Sequence, residues 1–400
     1  MMRIAVLITP SGATLSTGST RSTIANHNTF LKVSNNIKKM EQNNSVNICV
    51  IILEELNTKM VDVYFPVITY LGISMALGAI GNCFVSYIYY YKFDETAMHM
   101  FIIALSVCDF LTCIICIPMD IVVLRFPYTF HSDVACRVIR GVIAAAIINS
   151  AFIVFVIAVD RYILICRPLK QNISVKNSKT ILACLTIIAF ILSAPAFFVS
   201  GTQNKMVEQC GDIGGFCAFS PYINGTIIFF PYYTAASTVC CCMFIILFII
   251  YILIGMRIWK IYKAKKNKAN QFREAFTTPN ISKPEGQSTD ISSTAFARLR
   301  REPVPPAWAS LILFVITLIW IISYIPHFIG VYWRLFVEDF DDVASDKDLV
   351  IHKFLFYSSY LSSALNPYIY GVFNRQFRNE LLALFHNIFQ QCKKHNIETH

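Results

Sequence analysis

Charged and polar side chains interrupt two long apolar runs of this sequence, and their types favour a conformational switch. Asp160, Arg161 and Tyr162 end one run, and Asn366 and Pro367 interrupt another about two hundred residues later. Ionisable groups in apolar segments are costly, so each marks a candidate functional site. A neighbouring aspartate lowers the cost of burying an arginine. A proline removes a backbone donor and loosens its helix, which provides the hinge that a two-state switch needs.

A second candidate group centres on Asp109, a carboxylate in the middle of the apolar stretch LSVCDFL. Such a carboxylate needs hydrogen-bond partners or a cation. Ser150, Ser363 and Asn366 lie in other apolar runs and are candidate partners.

Seven apolar runs must position these groups, and each is long enough to cross a bilayer. They cover residues 62–91, 99–124, 134–160, 179–200, 226–259, 309–337 and 350–373. In lipid, only helices or closed barrels satisfy the backbone, and runs this long do not alternate with a period of two. The sequence therefore predicts an all-α membrane protein, a bundle of seven transmembrane helices embedded in the lipid bilayer.

The composition agrees with a membrane location. Hydrophobic residues make up 56% of the 400 residues and charged residues 14%, against about 25% charged in a typical soluble domain. The formal net charge of +10 could indicate nucleic acid as a partner, but the distribution of the charges argues against it. Lysine and arginine dominate the third-to-fourth and fifth-to-sixth connections, while the sixth-to-seventh is acidic. By the positive-inside rule, the N-terminus is outside the cell.

Three regions follow from this topology. Residues 1–60 are predicted to be an extracellular, largely disordered N-terminus. Residues 61–374 are the seven-helix domain, with a flexible cytoplasmic connection at 264–306, and residues 375–400 are an interfacial helix and cytoplasmic tail. Asn43 and Asn224 begin glycosylation sequons on the predicted extracellular side.

The order of these motifs resembles the rhodopsin-like (class A) G-protein-coupled receptors over residues about 62–392. Asn82, Asp109, the Asp160-Arg161-Tyr162 triplet, Pro326 and the Asn366-Pro367-Ile369-Tyr370 motif each stand on the expected helix. The stretch AVDRYILICRPL and a hairpin-like second extracellular loop are most similar to peptide receptors of the cholecystokinin or orexin type. The resemblance implies a plasma-membrane receptor without enzymatic activity. Its partners would be an extracellular ligand, a heterotrimeric G protein and arrestin.

The resemblance also assigns roles to residues. Those implied in G-protein coupling and switching are Asp160, Arg161, Tyr162, Tyr251, Pro326, Asn366, Pro367 and Tyr370. Those implied in an allosteric sodium site are Asn82, Asp109, Ser150, Ser363 and Asn366. The alternative for the second set is a neutral, hydrogen-bonded carboxyl group. No other cofactor is expected.

Further family features concern the cysteines and the tail. The resemblance implies a disulfide from Cys136 to the second extracellular loop, where Cys217 fits better by its spacing and Cys210 is the alternative. After the seventh run, Phe377, Leu381, Leu384, Phe385 and Ile388 have helical spacing with a basic flank, which predicts a short interfacial helix. Cys392 beyond it is either palmitoylated or a free cytosolic thiol.

The sequence departs from the family in its sixth helix. Tyr324 stands where the family usually has tryptophan, and Trp320 stands a turn earlier where phenylalanine is usual. The acidic partner that often restrains the family's arginine is absent. Elevated basal activity is the resulting hypothesis.

Ligand chemistry follows from a few positions. Ile143 replaces the carboxylate of amine receptors, and Tyr360 replaces the lysine of opsins. The candidate pocket residues form a mostly apolar, aromatic set: Asp120, Ile143, Ile147, Tyr324, His327, Phe328, His352, Phe356 and Tyr360. Asp120 is either a partner for a ligand cation or an interfacial carboxylate that reaches water. Pockets of this kind suit a peptide end or a small amphipathic molecule. A peptide is the prediction, and a lipid or other small molecule is the alternative.

Other classes of membrane protein fit less well. The halves of the chain show no repeat of the kind that transporters have. A membrane enzyme would need a metal or acid–base cluster, and the eight histidines are scattered without an HExxH motif. A seven-helix scaffold that does not signal stays an alternative.

Overall fold

The computed structural model describes residues 20–169, 172–207, 211–219, 222–223, 226–227, 229–277, 305–337, 340 and 344–398. Helices dominate these residues. In chain order they are α1 (Thr20–Tyr91), α2 (Ala97–Leu111), α3 (Ile117–Arg125), α4 (Asp133–Cys166), α5 (Val175–Val199), α6 (Phe229–Thr277), α7 (Pro305–Phe336), α8 (Asp346–Tyr357), α9 (Tyr360–Phe373) and α10 (Arg375–Glu398). A π-helical turn, Thr112–Cys116, joins α2 to α3.

Side-chain caps define where several helices begin. Thr96, Ser132 and Ser174 each accept a hydrogen bond from the backbone N–H three residues later. Ser345 and Asp348 form a reciprocal capping box at the start of α8. Because the first backbone N–H groups of a helix have no partner within the helix, such caps set the helix boundaries.

Six helical segments of the described residues are long and apolar enough to cross a membrane. They are Ile48–Tyr91, Ala97–Arg125, Asp133–Cys166, Val175–Val199, Thr234–Lys268 and Ser310–Arg334. Many of their large apolar side chains point outwards and are exposed. An apolar outer surface suits contact with lipid rather than water.

The last predicted span is divided in the structure. A turn at Ser358 and Ser359 separates α8 from α9, which have 12 and 14 residues. Ser358 Oγ donates to Ser323 O of α7 at 2.8 Å, which holds the turn against that helix. Each helix alone is too short to span a bilayer.

Two small sheets lie in the connection after α5, where the sequence predicts a hairpin-like loop. Strands β1 (Ser200–Val207) and β2 (Gly211–Phe219) form an antiparallel hairpin directly after α5. Strands β3 (Tyr222–Ile223) and β4 (Thr226–Ile227) form a second, shorter pair. Pairing satisfies backbone groups of a connection that no helix covers.

Helix α1 begins far earlier than the sequence predicts. Residues 20–60, for which disorder is expected, are helical in the structure. Cys49, Leu53 and Asn57 are buried. Asn57 contacts the connection between α3 and α4: its Nδ2 donates to Thr129 Oγ1 at 2.6 Å, and its Oδ1 accepts from the N–H of Tyr128 at 2.9 Å. Composition cannot reveal these contacts, which order the last part of the segment.

Helix α6 is also longer than its predicted span and continues to Thr277. The predicted flexible connection at 264–306 therefore includes a helical first part, and residues 278–304 lie outside the described residues. Lysine, alanine, glutamine and arginine are good helix formers, and the first proline of this stretch is Pro279.

Two buried clusters mark the ends of the bundle. We call the end that carries the Cys136–Cys217 disulfide the disulfide end, and the end that carries Arg161 the arginine end. Cys136 and Arg161 lie on α4, 25 residues apart, which corresponds to about 38 Å of helix. One apolar cluster surrounds the disulfide and the other packs beside Arg161.

Candidate functional site

A cavity of about 410 Å³ opens among helices α3 to α9 towards the disulfide end. Eight of the nine predicted pocket residues line it: Asp120, Ile143, Ile147, Tyr324, His327, Phe328, Phe356 and Tyr360. Much of the remaining lining is apolar. The volume of the cavity falls within the range that is usual for ligand sites.

His352 is the predicted pocket residue that does not line the cavity. Its ring is buried beside Phe340 and Trp333, with ring centroids 5.0 and 6.5 Å away. It lies one helical turn before Phe356, and only the later residue reaches the cavity. The exposure of a helix face depends on neighbouring elements, which the sequence does not show.

A buried charged cluster lies in the cavity wall. Asp120 Oδ1 is 3.3 Å from Arg140 Nη1, and Asp120 Oδ2 accepts from Tyr360 OH at 2.5 Å. The side chains of Arg140 and Asp120 are 10% and 2% exposed. Of this pair, the arginine is therefore the more accessible partner. The cluster joins α3, α4 and α9, and it satisfies both oxygens of a carboxylate that is costly to bury alone.

Arg140 and the π-helical turn are absent from the sequence prediction. Arg140 stands three residues before Ile143, so it shares a helix face with a predicted pocket residue. That spacing is the signal that could have found it. The π-turn has no comparable signal, although it changes the angle between Asp109 and Asp120 along the second span.

Aromatic side chains lie between the cavity and the polar groups around Asp109. Trp320 and Tyr324 both line the cavity, with their ring centroids 4.9 Å apart. Trp320 also meets Phe244 of α6 edge to face at 5.3 Å. Pro326 lies inside α7, two residues after Tyr324. A ligand that moved these rings would act next to a point where the helix lacks a backbone hydrogen bond.

Asp109 lies at the centre of a buried polar core. Its two carboxylate oxygens accept from Ser363 Oγ and from Asn366 Nδ2, each at 2.7 Å. Asn82 Nδ2 donates to Ser363 O at 2.8 Å. The cluster therefore joins α1, α2 and α9. Ser150 of α4 is buried and lines a small void together with Ser363.

The chemistry of this core fits a hard cation. The side chains of Asn82, Asp109, Ser150, Ser363 and Asn366 provide oxygen atoms, the ligand type that such cations prefer. Asn82 Oδ1 and Asn366 Oδ1 are buried and accept no hydrogen bond from the part of the chain that the structure describes. Buried acceptors without a donor are costly, and a cation would relieve that cost.

At the arginine end, Arg161 and Asp160 form a buried pair. Arg161 Nε donates to Asp160 Oδ2 at 3.1 Å, and Nη2 also donates to the same oxygen. Their side chains are 7% and 9% exposed. Tyr162 is half-buried and packs against the neighbouring apolar cluster.

Two tyrosines predicted to act in switching take part in different contacts. Tyr251 OH of α6 lies 2.9 Å from Thr317 Oγ1 and donates to Leu313 O at 3.2 Å, which links α6 to α7. Tyr370 is fully buried and its ring meets that of Tyr89 edge to face at 5.7 Å. Helix α7 contains no acidic residue.

Pro367 lies inside α9 where that helix meets α1. A Cβ atom added to Gly81 of α1 would come within 2.6 Å of the Pro367 side chain. The close approach requires glycine, and it places the weak point of α9 directly against α1.

Helix α10 begins directly after α9 and also contacts α1. Asn374 Oδ1 accepts from the N–H of Phe377, and its Nδ2 donates to Tyr89 OH at 2.9 Å. Phe377 is buried, whereas Phe385 and Ile388 are exposed. The helix has 24 residues, longer than the short helix predicted.

The predicted disulfide is confirmed: Cys136 and Cys217 are joined, with their Cα atoms 5.4 Å apart. Cys217 is therefore the partner, and the alternative pairing of Cys136 with Cys210 is wrong. Asn224 lies outside the described residues. Asn43 and Cys392 lie in α1 and α10, but their side chains are outside the described part.

The fold and these clusters define a class of multi-pass membrane receptors. The sequence profile described as "7 transmembrane receptor (rhodopsin family)" matches residues 81–370, which is more than half of the chain. The protein belongs to the rhodopsin family of seven-transmembrane receptors, which are signalling receptors and not enzymes.

Curated relatives in this family are receptors for peptides. The chain is 30% identical to the RYamide receptor of Tribolium castaneum over 38% of its length, and 24% identical to the neuropeptide F receptor of Drosophila melanogaster over 84%. It is 21% identical to the cholecystokinin receptor type A of Cavia porcellus over 73%. The matches span 45%, 64% and 73% of those three proteins. The predicted similarity to class A peptide receptors is confirmed.

Proposed function

We propose that this protein is a plasma-membrane receptor that binds an extracellular peptide and activates a heterotrimeric G protein. The disulfide end faces outwards and the arginine end faces the cytosol. Helices α8 and α9 together form the seventh span, and α10 lies along the cytosolic membrane surface. The supporting observation is that one bundle holds the cavity, the polar core around Asp109 and the buried Arg161.

The cavity volume limits how a peptide binds. A space of about 410 Å³ lies near the lower end of the range for small-molecule sites. It holds one end of a peptide, and the rest contacts the connections at the disulfide end. The names of the RYamide and neuropeptide F receptors support a peptide ligand for this chain too. A small amphipathic lipid is the second candidate, because much of the cavity lining is apolar.

Activation is a population shift between two conformers. A ligand shifts the equilibrium only by the difference in its affinity for the two. Contact with Trp320 and Tyr324 would favour the conformer in which α7 moves away from α6 at the arginine end. The Tyr251–Thr317 contact then breaks, and Arg161 leaves Asp160 to help form the G-protein site. Arrestin would bind after phosphorylation of serines and threonines between Thr277 and Thr294, which include residues outside the described chain.

The polar core is proposed as an allosteric sodium site. Asn82, Asp109, Ser150, Ser363 and Asn366 would hold the ion, which supplies a positive charge beside the Asp109 carboxylate. A cation held by residues of α1, α2, α4 and α9 favours the conformer in which these helices are close together. The site would therefore oppose activation.

A G-protein dissociation assay tests the proposed function. Cells that display the receptor at a verified surface level carry energy-transfer sensors for several G-protein classes. They are exposed to a peptide library and then to lipids and amines. A peptide response that Arg161→Ala removes at equal surface level supports the proposal. A response to lipids alone would replace the peptide by the second candidate, and silence to all three sets would favour a scaffold that does not signal.

A further inference from the structure

Helix α6 has an exposed face that runs past the arginine end of the bundle. Its buried side is marked by Leu247, Tyr251 and Ile254, which belong to the apolar cluster beside Arg161. On the opposite side, exposed apolar residues recur at intervals of three and four positions: Ile245, Ile249, Ile252 and Met256. In a helix that crosses a membrane, a stripe of this kind faces the lipid.

The same face changes its chemistry where the apolar run ends. Residues three, four and seven positions after Met256 lie on its side of the helix, and they are Trp259, Lys260 and Lys263. All three are exposed, Trp259 by 67%. From Met256 to Lys263 the face therefore passes from aliphatic to aromatic to basic within about 11 Å of helix.

This order of side chains matches the layers of a membrane surface. Tryptophan prefers the boundary between hydrocarbon and water, and lysines just beyond it extend their ammonium groups to the headgroups. Leu253 fixes the level of the face, because its carbonyl accepts a hydrogen bond from the thiol of Cys166, the last residue of α4, at 3.7 Å. Trp259 lies about 9 Å farther along α6 and so stands beyond the arginine end.

The segment after Trp259 is positive along its whole length. Five lysines lie within nine residues: Lys260, Lys263, Lys265, Lys266 and Lys268. The sequence has no acidic residue between positions 229 and 273, and among the described residues no salt bridge includes one of these lysines. Clusters of four to eight basic residues directly after a membrane span are typical of binding to anionic lipids.

We propose that the face formed by Trp259, Lys260 and Lys263 binds an anionic phospholipid. The two ammonium groups contact its charged headgroup, and the apolar stripe up to Met256 packs against its acyl chains. The occupant is a lipid and not a free anion, because the basic and apolar parts of the face are continuous. With the arginine end in the cytosol, the face lies in the leaflet that carries most of the anionic lipids.

Lipid binding fixes the level at which α6 leaves the membrane. Tyr251 lies about two turns before Trp259 and takes part in the contact between α6 and α7. With α6 held by lipid, the separation of these two helices under the proposed function is a movement of α7. The lipid site itself requires neither a ligand nor a G protein, so it stands or fails independently of that function.

Quenching of Trp259 fluorescence by brominated lipid tests the proposal. The full-length receptor is placed in phosphatidylcholine nanodiscs that contain a small fraction of brominated phosphatidylserine or of brominated phosphatidylcholine. Subtracting the signal of Trp259→Phe leaves the quenching at Trp259 alone. At low salt, we expect the same quenching at a roughly tenfold lower fraction of brominated phosphatidylserine, since each basic residue near an anionic surface contributes about fivefold. Equal quenching by the two lipids would overturn the proposal.

Two pairs of lysines provide a matched comparison. Lys260→Gln/Lys263→Gln removes two charges from the face, whereas Lys265→Gln/Lys268→Gln removes two from other sides of the helix, farther from the membrane. The first variant should lose most of the preference for phosphatidylserine, and screening should limit the loss in the second to less than about threefold. All four side chains are exposed, so both variants should unfold at the temperature of the wild type. Equal losses would show a diffuse field without a site, and no loss in the first variant would assign its lysines to solvent or to a protein partner; either result contradicts the proposal.

A soluble competitor separates a lipid site from an anion site. Glycerophosphoserine has the headgroup of phosphatidylserine without the acyl chains. At a concentration equal to that of the total lipid, it should leave the quenching unchanged. Raising the salt from about 0.1 to 1 M shortens the Debye length from about 10 to 3 Å and should bring the preference close to one. Competition by glycerophosphoserine, or a preference that salt does not change, would refute the lipid site.

Discussion

Each end of the bundle holds a buried pair of aspartate and arginine, and the two pairs are built differently. Asp160 and Arg161 are neighbours in sequence on one helix. Asp120 and Arg140 lie on different helices, and Tyr360 of a third helix donates to the same carboxylate. The first pair can break without separating helices, whereas the second joins three of them. The difference suggests a switch at the arginine end and a structural anchor at the disulfide end.

The largest effect is expected from breaking the pair between helices. Arg140→Leu leaves the buried Asp120 carboxylate without its arginine, which costs about 3–5 kcal/mol, and a double variant adds Asp120→Leu. The double variant removes both charges and should recover most of that loss. Thermal unfolding of the purified receptor measures the difference. Asp133→Asn is the control, because the Asp133–Arg137 pair is 47% and 41% exposed and surface pairs contribute little. If Arg140→Leu is as stable as the control, the Asp120–Arg140 pair is not a structural anchor.

The pair within one helix should change signalling instead of folding. Asp160→Asn weakens hydrogen bonds to a charged group that are worth about 1.5–3 kcal/mol. We expect the conformer ratio to shift roughly 10- to 150-fold towards the active state, seen as higher basal G-protein dissociation. Arg161→Ala should abolish dissociation at equal surface level. Unchanged basal activity in Asp160→Asn would mean that the pair does not restrain the arginine.

Sodium binding by the polar core between the two ends can be tested without a ligand. If Asp109 and its neighbours hold sodium, the ion stabilises the folded receptor by about 1.4 kcal/mol at ten times its Kd. Thermal unfolding in sodium and in N-methylglucamine chloride measures this. Asp109→Asn should show equal stability in the two salts. A wild type that does not distinguish them would favour the neutral hydrogen-bonded carboxyl.

The smallest effect concerns the link between α6 and α7. Thr317→Val removes the hydroxyl that contacts Tyr251, a hydrogen bond worth about 1 kcal/mol, and should raise basal activity roughly fivefold. Thr180→Val is the matched control, because Thr180 donates to its own helix at Lys176 O. Equal basal activity in the two variants would show that the link does not restrain the inactive conformer. Basal signalling of the wild type also tests the hypothesis of elevated activity.

Local patterns explain what was predictable. Apolar runs foretold the helices because a helix in lipid satisfies its own backbone. The runs that begin at residues 99, 134, 179 and 350 start within five residues of the caps Thr96, Ser132, Ser174 and Ser345. Eight of the candidate pocket positions line the cavity: six carry polar or aromatic side chains on apolar spans, and Ile143 and Ile147 are apolar. The seventh span was less clear, since its serine-rich turn at Ser358 divides it.

Non-local contacts explain what was missed. The ordered helix at residues 48–60 depends on Asn57 meeting Thr129, which stands 72 residues away. Arg140 became a pocket residue only because α3 and α9 place Asp120 and Tyr360 beside it. His352 does not line the cavity, because its ring packs beside Phe340 and Trp333.

The sequence by itself determined the membrane class, the order of the helices and the family, because these depend on hydropathy and on short motifs. Tertiary structure alone decided which charges meet and which face of each helix lines the cavity. It also placed the N-terminal helix against the connection between α3 and α4. These outcomes depend on contacts between residues tens to hundreds of positions apart. Pairing over such distances is set by the packing of whole helices, which local sequence patterns do not encode.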